Sequence, residues 1–434
     1  MNFYGKRGII VNNYEELLKH MNQAMLANDD DRVALVRRVL AAINHPDLNF
    51  KVVHLAGTNG KGSTGSLVAQ MLINQGYKVG LFSSPALVDQ REQIVINHQQ
   101  ITTTDFVRIY NWISERLPGD ISADDLTVFE WFVLIMLQYF SDQKVNWAIV
   151  EAGLGGKDDA TNAIQPPLVT VFTHIDLDHT KILGNTIKKI AYNKSQIIKP
   201  KTTVFVAPNQ HHDAITVLND VARKNQAQAV FDSNDIQVEV AERKITGTNL
   251  LVTSRYLDHV AVTLKMLGDF QIDNFKNVVA IYDWLFEQQI VSAPAVLINA
   301  AAQVTIPGRL EVLQTNPVVI LDGAHNPDAA QRLIGSLHVL FSDRRFVFVL
   351  GFLRDKNYQL MTKLYSQVAD RIFATTPDNG SRALPATQLQ QLLPTSQVVT
   401  TAQQGIDEAL KLADKQTVII VTGSFYVVKE LFKK

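Results

Sequence analysis

The chain has 434 residues, long for a single hydrophobic core and suited to two domains. Hydrophobic residues make up 46% and charged ones 19%, which excludes an intrinsically disordered chain. A formal net charge of −1 gives no electrostatic case for nucleic acid or an anionic membrane as partner, and the lack of cysteine excludes disulfides and thiolate metal sites. No signal-type apolar stretch follows Met1–Arg7 and no apolar run is long enough to span a bilayer, so the expectation is a soluble, cytoplasmic protein.

Residues 13–45 place Tyr14, Leu17, Leu18, Met21 and then Val33, Leu35, Val36, Val39 and Leu40 at helical spacings. Asn13 suits an N-cap with Glu16 three residues on, and the acidic run Asp29–Asp31 suits a solvated helix start. The apolar run Val52–Ala56 then breaks into Gly57-Thr58-Asn59-Gly60-Lys61-Gly62-Ser63-Thr64 and continues into a helix-compatible segment, 65–74. Strand, glycine-rich loop and helix together are the grammar of a phosphate loop. Glycines let backbone N–H groups close around a polyphosphate, Lys61 reaches the β/γ-phosphates, and Ser63 or Thr64 sits near Mg²⁺. The strict pattern G-x-x-x-x-G-K-[ST] is not met, because Leu55 and Gly62 occupy two of its positions. For these residues alone, a glycine-rich turn with an exposed lysine is the other reading.

Further strands are predicted at Tyr77–Phe82, ending at Ser83-Ser84-Pro85, and at Val145–Val150, ending in Glu151. Leu168–Thr173 ends near Asp176-Leu177-Asp178-His179, and Thr203–Ala207 closes the series; helices fall around 104–116 and 125–140. In an open parallel sheet ligands gather at the carboxyl ends of the strands, and here those ends carry the phosphate loop, Ser84, Glu151 and His179. Glu151 suits a Mg²⁺ ligand or a helix cap, and His179 a second metal ligand or a structural histidine. Asp158 and Asp159 read as turn residues, and Lys188, Lys189, Lys199 and Lys201 as a solvated face. Nothing in spacing or composition selects Lys194.

Residues 230–262 alternate in short segments, which predicts a small antiparallel insertion. A helix is expected at Asn274–Glu287, and a boundary near 290–307 encloses a short helix. A second α/β set follows at Val318–Leu321, Phe346–Leu350, Arg371–Ala374 and Thr417–Val421. After its first strand, Asp322 and His325 in Asp322–Asp328 could contact a nucleotide or acceptor, or simply form a turn. The predicted fold is α/β in two domains. Residues 1–304 form a P-loop NTPase-like parallel sheet with the antiparallel insertion, and 305–434 a Rossmann-like α/β domain.

The stretch His54–Ser63 resembles the phosphate loop of the folylpolyglutamate synthase/dihydrofolate synthase family, a branch of the Mur ligase superfamily. The resemblance extends in order through Ser83-Ser84-Pro85, Glu151–Gly156 running to Asp159-Ala160-Thr161-Asn162, and Leu177-Asp178-His179 with Leu183-Gly184. Pro307–Glu311 and Asp322–Asp328 continue it, and Thr422-Gly423-Ser424 is compatible. It implies ATP- and Mg²⁺-dependent amide bond formation. A folate carboxylate takes the γ-phosphoryl group, giving an acyl phosphate and ADP, and the amine of L-glutamate displaces phosphate. It further implies that residues 305–434 close over ATP and that the protein is a monomer.

By the same resemblance Gly57, Thr58, Asn59, Gly60, Lys61, Gly62, Ser63 and Thr64 bind ATP, with Asn274, Arg309 and Asp322 at nucleotide positions. Ser84 and Glu151 ligate one Mg²⁺, and His179 helps hold a second. Lys194 occupies the place of a carbamylated lysine, which CO₂ turns into an oxygen ligand. Lys61, His179, Lys194, Arg309 and His325 are the implied catalytic set, and K⁺ is a further candidate cation. The chain departs from the family at Ala86, Gln93 and Lys157, positions on the pterin side. The acceptor therefore stays open between reduced folates, dihydropteroate and another carboxylate. A nucleotide switch or hydrolase would leave the ordered motifs unexplained.

Overall fold

The computed structural model describes residues 11–21 and 31–432, so Asp29 and Asp30 lie outside it. The chain divides into two compact units, Met1–Asp235 with Asn277–Val296, and Ile236–Lys276 with Leu297–Lys434.

The first unit is built on a sheet of eight strands: β1 (Lys51–Ala56), β2 (Val79–Phe82), β3 (Ile94–Ile96), β4 (Gln99–Gln100), β5 (Trp147–Glu151), β6 (Val169–Phe172), β7 (Thr203–Val206) and β8 (Ala229–Asp232). Their spatial order is β4-β3-β2-β5-β1-β6-β7-β8, parallel from β2 to β8 with an antiparallel edge of β3 and β4. Helices cover both faces, so β5 and β6 are buried at every residue and read as continuous apolar runs. The series expected to close at Thr203–Ala207 runs one strand further, because 229–232 pairs in parallel with β7 before the antiparallel segment begins.

Asn13 caps the helix Tyr14–Met21 through the Glu16 N–H, and Asp31 caps Arg32–Ala42 through the Ala34 N–H. The helix Val128–Asp142 is apolar all round and buries Trp131 through Leu137 in the core. Its capping box joins Thr127 to Glu130, whose carboxylate also takes the Arg32 guanidinium.

The second unit holds two sheets. The predicted antiparallel insertion is a meander of β9 (Gln237–Lys244), β10 (Gly247–Thr253) and β11 (Val260–Leu264). The other sheet comprises β12 (Glu311–Thr315), β13 (Val318–Leu321), β14 (Arg345–Leu350), β15 (Ala369–Ala374), β16 (Gln397–Val398) and β17 (Thr417–Thr422). They lie in the order β12-β13-β17-β14-β15-β16, with only β12 antiparallel. The pattern missed β12 and β16. β12 is half exposed with no clean alternation, and β16 is two residues long. The helix expected at Asn274–Glu287 begins at Asp269, which puts Asn274 within it.

Candidate active site

Strands β2, β5, β1 and β6 are neighbours and parallel, so the four segments that leave their carboxyl ends emerge side by side. These are Ser83-Ser84, Glu151 itself, Gly57–Gly60 and the loop to His179. Gly60 adopts a left-handed conformation, φ +96°, as the N-cap of the helix Lys61–Asn74. That turn points the helix N-terminus and its free N–H groups out of the sheet edge. Gly57 is required for closeness, since a Cβ there would lie 1.9 Å from Thr173 Oγ1.

Two lysines converge on one oxygen. Lys61 Nζ donates to the Gly57 carbonyl at 3.2 Å and lies 3.6 Å from Glu151 Oε1. Lys194, on the helix Ile187–Ser195, donates to the same carbonyl at 2.7 Å and is 5% exposed. Burial first and Lys61 second lower its pKa to about 7, with Asp178, Asp159 and Glu151 opposing the shift. A buried lysine held near neutrality has a free amine at physiological pH, the form that adds CO₂. The Lys61 ammonium beside the Glu151 carboxylate fits an anionic phosphate chain and its hard cation. Glu151 offers carboxylate oxygens, the ligand type that Mg²⁺ prefers.

A buried polar chain fixes the loop after Glu151. Asp159 accepts from the Leu154 N–H at 2.7 Å and from the N–H and hydroxyl of Thr161, and Thr161 Oγ1 meets His54 Nε2 at 2.8 Å. Asp159 is therefore more than the expected turn residue: it is buried, and burial raises its pKa. Lys199 departs from the expected solvated face. Its Nζ donates to Asn162 Oδ1 at 2.6 Å, and burial pulls its pKa to about 8. Burial, with Lys199 second, holds the His54 imidazole neutral at a pKa of about 3.

Ser84 lies just after β2, and His179 lies further along the loop after β6. His179 has φ +47°, caps the helix Thr180–Leu183 and keeps its ring 3.9 Å from Asp178. Further along the chain from Ser84, Glu92 accepts from the N–H groups of Leu87, Val88 and Asp89, so one carboxylate shapes residues 87–92. Gln93 is buried and donates to Gln90, while Lys157 is exposed.

In the second unit the residues after β13 form their own cluster. Asp322 is buried and accepts from the Leu310 and Ala324 N–H groups at 2.9 and 2.8 Å. Burial raises its pKa, against the pull of Arg309. Arg309 lies over the Phe425 ring at 4.4 Å, and the His325 ring is 5.7 Å from that same ring. Asn274 is buried and donates to Gln271 at 2.9 Å. Phe425 was not singled out in the sequence, although it opens the helix that follows Thr422-Gly423-Ser424.

The Mur ligase middle domain matches residues 55–282 and the Mur ligase glutamate ligase domain matches 308–425. The chain belongs to the Mur ligases. Within them it falls in the folylpolyglutamate synthase/dihydrofolate synthase branch. The dihydrofolate synthase/folylpolyglutamate synthase of Bacillus subtilis is 29% identical over 410 residues, covering 92% of this chain and 94% of its own. The structure of E. coli FolC in complex with DHPP and ADP superposes with a TM-score of 0.85 at 26% identity and 98% coverage of both chains. The bifunctional synthase from Yersinia pestis complexed with AMPPNP and Mn ion gives 0.85 at 25% identity, again covering 98% of each chain. The expected α/β fold with a parallel sheet, an antiparallel part and a C-terminal α/β domain is the one these Mur ligases share.

Proposed function

We propose that this Mur ligase adds L-glutamate to the γ-carboxyl of reduced folates, consuming ATP through an acyl phosphate and releasing ADP. The observation that carries the reading is the pair Lys61 and Lys194 on the Gly57 carbonyl beside Glu151, at the sheet edge of a chain that matches both ligase domains. Lys61 and the loop amides neutralise charge that builds on the transferred phosphoryl oxygens. Ser84, Glu151, His179 and Lys194, the last carbamylated, are proposed to hold two Mg²⁺ ions, which orient the phosphates and screen their charge. Arg309, Asp322, His325 and Asn274 are proposed as nucleotide residues, and K⁺ is a candidate activator. Support for the substrates comes from relatives whose structures hold DHPP with ADP and AMPPNP with Mn ion.

The protein is proposed to work as a cytoplasmic monomer without nucleic acid or membrane; a net charge of −1 gives no electrostatic case for either of those polyanionic partners. Dihydrofolate synthase activity is the second reading, because the Bacillus subtilis relative carries both names.

The test is ADP release with ATP, Mg²⁺ and L-glutamate against tetrahydrofolate, 5,10-methylenetetrahydrofolate, dihydropteroate or no acceptor. Release that needs both glutamate and a reduced folate, with one glutamyl unit added by mass, is the expected result. Turnover with dihydropteroate adds the synthase activity, and ADP without any acceptor overturns the ligase reading.

A further inference from the structure

The loops after β6 and β7 bring together three side chains that the ligase reaction does not use. His174, Asp176 and His211 each offer a donor atom, and these atoms all lie within 4.8 Å of one another. It is the one such group of three among the described residues. Nε2 of His174 and Nε2 of His211 are each 3.6 Å from Asp176 Oδ2. A tetrahedral ion with bonds of about 2.0–2.1 Å has ligand–ligand edges of about 3.3–3.4 Å. Two of the three edges are thus within a few tenths of an ångström of a bound site.

The backbone beneath the three ligands is tied down. The His174 carbonyl accepts from the Thr58 and Asn59 N–H groups at 2.7 and 3.2 Å. Asp176 exchanges two hydrogen bonds with the Thr58 hydroxyl, both 2.9 Å, through its own N–H and carbonyl. Gln210, which precedes His211, is buried; it accepts from the Ile175 N–H at 3.1 Å and donates to the Thr173 carbonyl at 2.7 Å. That side chain stitches the end of β6 to the loop after β7 and holds His211 opposite His174. Such preorganisation is what a metal site needs from its surroundings. The His211 side chain is 46% exposed, which leaves an entry path and an open coordination position.

We propose that His174, Asp176 and His211 bind a divalent transition-metal ion of the zinc type, at a site separate from the nucleotide's Mg²⁺. Two imidazoles with one carboxylate favour Zn²⁺, Co²⁺ or Ni²⁺ over Mg²⁺, which prefers oxygen. A bound ion would cross-link the loops after β6 and β7 against Thr58 and Asn59 of the phosphate loop.

The probe is Co²⁺, titrated into tag-free, metal-stripped full-length protein without nucleotide and followed by its visible d–d absorption. One equivalent should give the intense bands of a four- or five-coordinate site, which Zn²⁺ displaces and excess Mg²⁺ does not. His211→Ala and Asp176→Asn, with circular dichroism confirming the fold, should each weaken binding at least tenfold, while His179→Ala leaves it unchanged. Equal binding by wild type and His211→Ala overturns the proposal, as does loss of the bands in His179→Ala or displacement by Mg²⁺. Absence of Co²⁺ bands in the wild type overturns it too, leaving the three side chains as an ion-pair bridge.

Discussion

Lys61 and Lys194 come from helices that follow different strands, yet both donate to the carbonyl oxygen of Gly57, at 3.2 and 2.7 Å. When both are protonated, two cations share one oxygen and the fold bears their repulsion. The Lys194 pKa falls from 10.5 to about 7, burial first and Lys61 second. A lysine with a depressed folded pKa destabilises the fold below its unfolded value. The penalty grows as pH drops from about 10.5 to about 7 and is complete below that. Lys194→Met should therefore raise the melting temperature at pH 7 while turnover falls about 10²–10³-fold, the loss typical of a charge-stabilising group. Unchanged turnover would remove Lys194 from the active site. Carbamylation is checked separately: ¹³CO₂-equilibrated wild type should show a carbamate carbon that Lys194→Met lacks.

The His54 imidazole is buried against Thr161 and stays neutral, its pKa lowered to about 3. The unfolded chain binds a proton here below pH about 6.5 and the folded chain does not, so stability falls as pH drops from 6.5 toward 3. The slope from this one group reaches about 1.4 kcal/mol per pH unit. His54→Gln should flatten the urea-unfolding midpoint against pH between 6.5 and 5 by up to that slope. Identical slopes in the two proteins would show that His54 protonates in the folded state.

The phosphate loop, Ser84, Glu151 and His179 were legible because each ends or follows an apolar strand, and strand ends in a parallel sheet share one edge. Lys194 was not legible. It stands in a helix with Lys188 and Lys189, and only burial separates it from its exposed neighbours. Asp159 is a turn residue as expected, but its burial was not legible for a related reason. Asp beside glycines signals a turn whether or not the turn is covered, although the spacing Asp159-x-Thr161 marks the Asx turn that the structure forms. β8 escaped because its four residues run directly into the segment of the antiparallel meander. Arg309, Asp322 and His325 were each marked by resemblance, but Phe425, the ring that both Arg309 and His325 approach, carries no signal of its own.

Glu92 holds three successive backbone N–H groups, those of Leu87, Val88 and Asp89. Ala86 and Gln93, where the sequence departs from the expected family pattern, flank the segment 87–92. Glu92→Ala leaves those donors without their acceptor and should cost about 1–3 kcal/mol of stability. If the segment positions the acceptor, KM for the reduced folate rises while KM for ATP stays within twofold. A parallel rise in both constants would assign Glu92 to general stability alone.

Gly156 packs against the helix that carries Lys194. A Cβ on Gly156 would lie 2.6 Å from the Lys194 carbonyl oxygen and 3.0 Å from both Lys194 Cα and the Asn193 carbonyl oxygen. All three obstacles are backbone, so no rotamer change relieves them and the helix itself must shift. Overpacking of this kind costs about 1–3 kcal/mol. The shift would also move Lys194 Nζ from its 2.7 Å contact with Gly57. Gly156→Ala should thus lower both the melting temperature and kcat, with KM for ATP much less affected, because the Gly57–Thr64 loop keeps its own hydrogen bonds. Gly76→Ala is the control for glycine loss as such: Gly76 has a left-handed φ of +100° with nothing within 4 Å of an added Cβ. It should lower the melting temperature and leave kcat intact. Equal kcat losses in both variants would mean that turnover follows global stability and not the placement of Lys194.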